Sequence, residues 1–463
     1  MANRSTGSVG ADPVWPVWID PSGRRCRAAR PATGIVPPVD RGQSEGQSMN
    51  VGFTPDQSRV AREFVGYTFM DMARLCATRG WDEARGRSVE RLQADLTPAP
   101  LGYRRGMVAG RQLFFFSHAY RLTTDPIFED RARRLYADLL DHFWDKTHGG
   151  WYFSVDDDDA PHDAAKDLYG HAFIMFGLAH YAAIFSDADA CNWIERTNEL
   201  VFHHFRLPAG WFAPSTTRDW AILGRNLEQN PHMHLLEAYL SAFDATRDKA
   251  FIRCATVIMS IYTELLRTHD RSKVLEHFDE NGQPAAARGN LIEPGHLYEW
   301  YWLVNEYADI AGLPAYRAAC TPIIAWADRW GIDPGAGGIY DQVDSDGTVV
   351  SNRKRIWPVT ECIKAFATVV RLGGGEQPKE TLTRWTTFIR QRYCTKGGAW
   401  HEYLDRNLQP DCDYLPLSTP YHVAMAALEV ERLWGGPGAF GLRNSKAAAF
   451  SPAQGRGGDP TIT

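Results

Sequence analysis

The chain has 463 residues, 44% of them hydrophobic and 12% aromatic, with a formal net charge of −6. That length buries a large core, as two or three domains or as one large barrel. Charge is spread without long runs of one sign, so nothing marks a surface for nucleic acid or an anionic membrane, and no apolar stretch is read as approaching the roughly 18 residues that span a bilayer.

Residues 1–52 are rich in Pro, Gly, Arg and Ser and show no apolar periodicity. They read as a disordered extension, or as sequence upstream of a true start at Met49, without the apolar core of a secretory signal. A single domain is expected over 53–435 and a flexible tail over 436–463. The eight cysteines lie far apart with no C-x-x-C pair. They read as reduced thiols of a cytoplasmic protein, not as a disulfide frame or a zinc site.

About twelve helical segments and no long strand are predicted between these ends, on apolar spacing and start signals. They begin near Asp56, Gly106, Pro126, Lys166, Asp189, Pro231, Asp248, Pro294, Pro314, Pro358, Lys379 and Thr419. Gly149-Gly150-Trp151-Tyr152, Ala209-Gly210-Trp211-Phe212, Gly337-Gly338-Ile339-Tyr340 and Gly397-Gly398-Ala399-Trp400 recur at about 60 residues or twice that, the length of a helical hairpin with a long, partly β-like loop. Three are followed by similar turns at Val155-Asp156, Val343-Asp344 and Leu404-Asp405, and Phe278-Asp279-Glu280-Asn281-Gly282 fills the gap. Six hairpins closing on themselves form an all-α (α/α)6 barrel; an open superhelix has the same period.

The notable polar residues fall on alternate segments: Arg111; His171; His234 with Glu237; His296 with Glu299; Arg355, Trp357 and Glu361; and His422. Alternate helices would form an inner ring whose starts converge at one mouth. Arg111 lies in an apolar helix, where a fixed cation needs an anionic or oxygen-rich partner: a sugar oxygen, an enediolate, Glu237 or Glu361. His118 beside it reads as packing. His232 and His234 diverge by roughly 200° on a helix and make a poor chelate. His234 and Glu237, three apart, share a helix face and suit proton transfer, and His296-x-x-Glu299 repeats the arrangement one hairpin later. Two such pairs facing across a barrel would supply acid, base and orienting carboxylates. Glu237 and Glu299 also have the residue type a glycoside hydrolase needs. The carboxylate run at 156–159 lacks the alternation of a calcium loop.

Taken together, these residues resemble the N-acylglucosamine 2-epimerase superfamily, which includes cellobiose 2-epimerases and bacterial mannose and sulfoquinovose isomerases. The matching motifs are Arg111 in its aromatic helix, Tyr169-Gly170-His171-Ala172-Phe173, Asn230-x-His-Met-His234-Leu-Leu-Glu237, Glu293-Pro-Gly-His296-Leu-Tyr-Glu299-Trp, Arg355-Ile-Trp357-Pro and Tyr421-His422. The resemblance implies an (α/α)6 barrel and proton transfer next to a sugar carbonyl, without metal or cofactor. His171 before Ala-Phe, and Leu-Ser-Thr-Pro-Tyr-His422 without a Trp-Lys-Cys-Pro lead-in, favour the isomerase branch. Aldose–ketose isomerisation of a free hexose, mannose to fructose, is then expected; a 2-epimerase or a phosphomannose isomerase is the alternative. By the same resemblance His234 and His422 are the acid–base pair, His171 and Glu237 assist, and Arg111 stabilises the enediolate. His296, Glu299 and Trp357 would hold the sugar, a small monosaccharide is the only expected partner, and a homodimer is implied.

Overall fold

Most helices start where the sequence offers a proline or an acceptor for first-turn N–H groups. The computed structural model describes residues 52–442, and before them only two short strands, Trp18–Ile19 and Arg25–Cys26, paired antiparallel. The remainder of the extension expected over 1–52, and the tail from 443, lie outside the described residues. Thr54 closes a capping box with Gln57 at the start of α1 (Pro55–Gly66), which continues through a π-helical turn, Tyr67–Met72, into Ala73–Thr78. There follow α2 (Gly106–Thr123), α3 (Pro126–Asp138), α4 (Leu168–Phe185), α5 (Ala188–Leu200), α6 (Gln229–Thr246) and α7 (Lys249–Ile261). The second half contributes α8 (Pro294–Ala311), α9 (Ala315–Trp330), α10 (Ile356–Arg371), α11 (Glu376–Arg392) and α12 (Pro420–Arg432). The side chains of Asp125, Asp167, Asp187 and Asp248 cap α3, α4, α5 and α7. Every start lies within three residues of the sequence expectation, the widest difference being Glu376 against Lys379 at α11.

Even-numbered helices pack in sequence, α2 on α4, α4 on α6, α6 on α8, α8 on α10 and α10 on α12, and α12 packs back on α2. Each odd-numbered helix from α3 to α11 packs on the inner helix before it, and α1 packs on α11 and α12. The last long loop also pairs with the first, Tyr414–Pro416 running antiparallel to Arg91–Gln93. The ring is therefore closed, an (α/α)6 barrel and not an open superhelix. Inner helices are buried on nearly every side, whereas an outer helix such as α3 buries one stripe through Phe128, Ala132 and Leu135. Helix α4 corrects one expectation, since its 18 residues are apolar enough to cross a membrane by length and composition. Its apolarity is accounted for by its place in the inner ring, where 72% of it is buried.

The described strands are two or three residues long and confined to the loops. Outer helices α3, α5, α7, α9 and α11 each end in a turn closed by an antiparallel bridge, from Trp144 with Trp151 to Cys394 with Trp400. Four of these, all but the turn between Arg267 and Val274 after α7, are the glycine-containing turns of the sequence repeat. Asp156, Asp279, Asp344 and Asp405 then accept through Oδ1 from the N–H groups two and four residues on. In the run at 156–159, Asp159 pairs with Arg87 and Arg104, so the run is a turn braced by arginines. Residues past the expected boundary at 435 are packed on the barrel. Phe440 stacks on Trp302 with ring centroids 5.3 Å apart, and the Ala439 N–H donates to Glu429.

Helices α2 and α4 meet through glycines. A Cβ on Gly177 would lie 2.3 Å from the carbonyl oxygen of Gly110, and one on Gly110 would lie 2.5 Å from that of Phe173. Gly→Ala inside a helix ordinarily stabilises by roughly 0.5–1 kcal/mol. Here Gly177→Ala is expected to have the opposite sign, with overpacking costing roughly 1–3 kcal/mol, and chemical denaturation checks it. An unchanged or raised midpoint would show that the two helices are not held at this distance.

Candidate active site

The starts of all six inner helices line one cleft of about 620 Å³. Beneath it sits a group of buried ionisable side chains. Glu237 on α6 receives the hydroxyl of Tyr421 on the opposite helix α12, at 2.6 and 2.5 Å from its two oxygens. It also lies 3.0 Å from Nδ1 of His234, one turn back. Glu361 on α10 lies 2.9 Å from Nδ1 of His422, and its other oxygen is 2.5 Å from Nζ of Lys364. Glu299 on α8 is 3.6 Å from the same Nζ and 4.0 Å from Nδ1 of His234. Glu237 accepts from Tyr421 and Glu361 is ion-paired with Lys364, an arrangement that suits Nδ1–H on both histidines and leaves each Nε2 with a lone pair.

Burial, more than any neighbour, holds the imidazole of His234 down to about 3 and that of His422 well below its ordinary value. Both therefore rest neutral at physiological pH. Burial likewise pushes the Glu237 carboxyl up, against the pull of Lys364, Tyr421 and Arg111. His296 has the opposite fate. Burial opposes its charge, but Glu276, then Glu293 and Glu299, together outweigh it and raise the imidazole to about 9. Its Nδ1 lies 3.0 Å from Glu276, which Gln229 also binds at 2.7 Å, and its ring packs on Trp357.

Arg111 lies in the cleft wall with only uncharged hydrogen-bond partners among the described residues. It donates to the Tyr169 hydroxyl at 2.6 Å and to the Ser418 carbonyl at 3.4 Å, and its guanidinium lies 4.0 Å from the Phe173 ring centroid and 4.8 Å from that of Tyr421. It pairs with neither Glu237 nor Glu361, so its charge remains for a ligand. Asn230 also lines the cleft, with its buried Oδ1 unpartnered.

Three expectations are corrected. His171 is not brought to the catalytic group. Its Nδ1 donates to the Asp167 carbonyl at 2.8 Å and its Nε2 accepts from the Trp151 N–H at 3.1 Å, so both nitrogens are spent on backbone. His232 makes the same brace one hairpin later, to the Glu228 carbonyl at 2.7 Å and from the Phe212 N–H at 3.0 Å. Second, the His296-x-x-Glu299 spacing is not a bonded pair: His296 turns to Glu276, and Glu299 to Lys364. Third, α6 and α8 are ring neighbours, so the two spaced pairs do not face each other across the barrel. The sequence reading does not single out Lys364 or Glu276. Lys364 carries the signal that marks Arg111, a cation within an apolar run, Cys362-Ile363-Lys364-Ala365-Phe366. Glu276 lies in a loop with no such signal.

Among the described residues His234, Glu237 and Glu299 bring one nitrogen and two carboxylate oxygens within 4.8 Å of one another, a set that calls for positive charge. The chain supplies that charge itself through Lys364, which touches Glu361 and Glu299.

The family model described as N-acylglucosamine 2-epimerase matches residues 88–426. Cellobiose 2-epimerase of Bacteroides fragilis is 24% identical over 367 residues, 75% of this chain and 93% of that protein. D-mannose isomerase of Thermobifida fusca is 27% identical over 282 residues, 58% of this chain and 69% of that protein. The structure of a cellobiose 2-epimerase from Bacillus thermoamylovorans shares the fold, with a TM-score of 0.75 at 19% identity over 81% of this chain and 100% of that one.

Two measurements check these assignments. His171→Asn strips a buried N–H of its acceptor and is expected to cost roughly 1–3 kcal/mol of stability, while lowering kcat far less than His234→Ala does. A loss of turnover equal to that of His234→Ala, with stability unchanged, would return His171 to the chemistry. For His296, the folded value of about 9 lies above the ordinary imidazole value near 6.5. The stability it contributes is fully present below about 6.5 and is lost as pH rises through about 9. Thermal melts should show the advantage of the parent over His296→Gln shrinking across that window, and a constant difference would mean that His296 is not charged.

Proposed function

The chain belongs to the N-acylglucosamine 2-epimerase family of sugar epimerases and isomerases, and from this premise we propose that it isomerises a free hexose from aldose to ketose, mannose to fructose, through a cis-enediol. One observation carries the reading: two neutral imidazoles, each with Nδ1 bound to its own buried carboxylate, on helices opposite each other in the inner ring. Such a histidine takes a proton at Nε2 while the carboxylate steadies the imidazolium that forms.

After the ring opens, one histidine takes the proton from C2 as the C–H electron pair forms the C1–C2 double bond and the carbonyl oxygen gains a proton. Delivery of a proton to C1, with loss of the O2 proton, completes the ketose. His234 and His422 form this acid–base pair. Arg111, with no carboxylate of its own, faces the developing negative oxygen, a role often worth a few kcal/mol. Charged His296, with Trp357 behind it, and Asn230 hold hydroxyls at the wall, and Glu299 offers an acceptor.

The cleft favours an uncharged sugar over a phosphorylated one. Glu90, Asp167, Glu228, Glu276, Glu293 and Glu402 line it against four arginines and the His296 imidazolium, itself paired with Glu276. Of these, Arg105 lies 2.5 Å from Glu90 and Arg355 lies 3.9 Å from Glu402. A phosphate dianion would meet more carboxylate than free cation. Glycoside hydrolysis by Glu237 and Glu299 is disfavoured, because both oxygens of Glu237 are engaged by Tyr421 below the cleft.

Incubation with mannose in D₂O, followed by proton NMR, is expected to give fructose deuterated at C1. Glucose as the product would assign a 2-epimerase instead, and turnover of mannose 6-phosphate alone would overturn the neutral-sugar reading. His234→Ala and His422→Ala are each expected to lower kcat by at least about 10²-fold with the fold retained. Near-parental turnover in either variant removes that histidine from the mechanism.

A further inference from the structure

Lys364 has no place in the acid–base scheme above, yet it is fully buried at the centre of the site. Its ammonium is 2.5 Å from Glu361, 3.6 Å from Glu299 and 3.9 Å from the centroid of the Trp302 ring. A buried ion pair is weak evidence for stability, since replacing such a pair by apolar groups is often neutral or stabilising. The position of the ammonium points to another use. Glu361 has one oxygen on Lys364 and the other on Nδ1 of His422, so Lys364 acts on that histidine through the carboxylate.

We propose that Lys364 is a positioning residue for the isomerisation: its ammonium, fixed between Glu361 and Glu299, keeps Glu361 a proton acceptor toward Nδ1 of His422 and thereby reserves Nε2 of His422 for proton exchange with the sugar. The inference rests on the isomerase reading for its kinetic consequence, but its structural half stands on geometry alone.

The titratable groups that interact with the ammonium come from four inner helices: Glu361 shares its helix α10, Glu299 comes from α8, Glu237 and His234 from α6, and His422 from α12. Burial, and then the charge of Glu299, raise the Glu361 carboxyl well above the ordinary carboxylate value, and Lys364 is the first force opposing them. Lys364 in turn stays charged, because although burial opposes its charge, Glu361, Glu299 and Glu237 surround it. Without the ammonium, the Glu361 carboxyl takes a proton and donates it to Nδ1 of His422. The imidazole must then carry its own hydrogen on Nε2. That tautomer presents an N–H to the sugar where the reaction needs a lone pair.

The test uses the full chain labelled with ¹⁵N in its histidine rings, the His422 signals being identified by their loss in His422→Ala. Two-bond ¹H–¹⁵N spectra distinguish a protonated Nδ1 from a protonated Nε2. The parent is expected to hold Nδ1–H and Lys364→Met to hold Nε2–H, whereas Lys364→Arg, which keeps the cation, retains the parental tautomer. In Lys364→Met kcat is expected to fall by at least about tenfold with KM little changed. Part of that loss should return at high pH, as Glu361 gives up its proton. Nε2–H in the parent itself overturns the proposal, and needs no variant to fold. Nδ1–H in Lys364→Met, or parental kcat and pH profile there, overturns it as well. A parent that isomerises no sugar fails the functional reading alone, and the tautomer spectra then decide the role of Lys364.

Discussion

The structure depends on charge buried where water cannot reach it. Glu237, Glu299 and Glu361 all lie on inner helices, each with no exposed surface, and Lys364 is their single ammonium. Isolated, any one of them would be neutralised or would unfold its surroundings. Together they are held by groups from four helices, including the Tyr421 hydroxyl that crosses the ring to Glu237. The ring must therefore close at one diameter. Helix α12 returns to α2, and the loop at Tyr414–Pro416 ties back to Arg91–Gln93. Closure and catalytic geometry are the same constraint met at two scales.

The repeat supplies the rest of the scaffold. Each outer helix from α3 to α11 ends in a bridged turn, and in two of the hairpins the next inner helix sends back a histidine to bind that turn. His171 and His232 are those braces. Their backbone partners fix the start of α4 and of α6, and so fix the depth at which Tyr169 and His234 stand. A histidine in phase with a structural repeat can thus serve the repeat and not the site, which separates His171 from His234 although both open an inner helix.

Much of the fold was legible because helix starts are local events. A proline or a capping aspartate marks them, as at Pro126, Pro294 and Asp248, and the glycine turns give the period that counts six hairpins. His234 with Glu237 was legible for the same reason, as two side chains one turn apart. The remaining partnerships were not. Tyr421 is 184 residues from Glu237, and Glu361 is 61 from His422. Ring order can be counted from the sequence, but side-chain direction inside a filled barrel depends on packing that no single helix contains. His296 shows the cost of reading spacing alone: its local partner Glu299 has the right interval, and a loop carboxylate, Glu276, takes the hydrogen bond.

Histidine therefore does three different jobs in one ring, and the partner at Nδ1 decides which. A backbone carbonyl makes His171 and His232 inert braces, with both nitrogens spent. Glu276, backed by the nearby charges of Glu293 and Glu299, makes His296 a standing cation at the cleft wall. His234 and His422 meet carboxylates already engaged, one by Tyr421 and the other by Lys364. Burial keeps both imidazoles neutral beside these carboxylates, which lie within hydrogen-bond distance of Nδ1. In the proposed isomerisation each would be a base that rests neutral and is steadied when it takes a proton, the condition enediol chemistry sets for both ends of the transfer. On that proposal the tyrosine and the lysine belong with the histidines, because they bear on what each carboxylate has left to give.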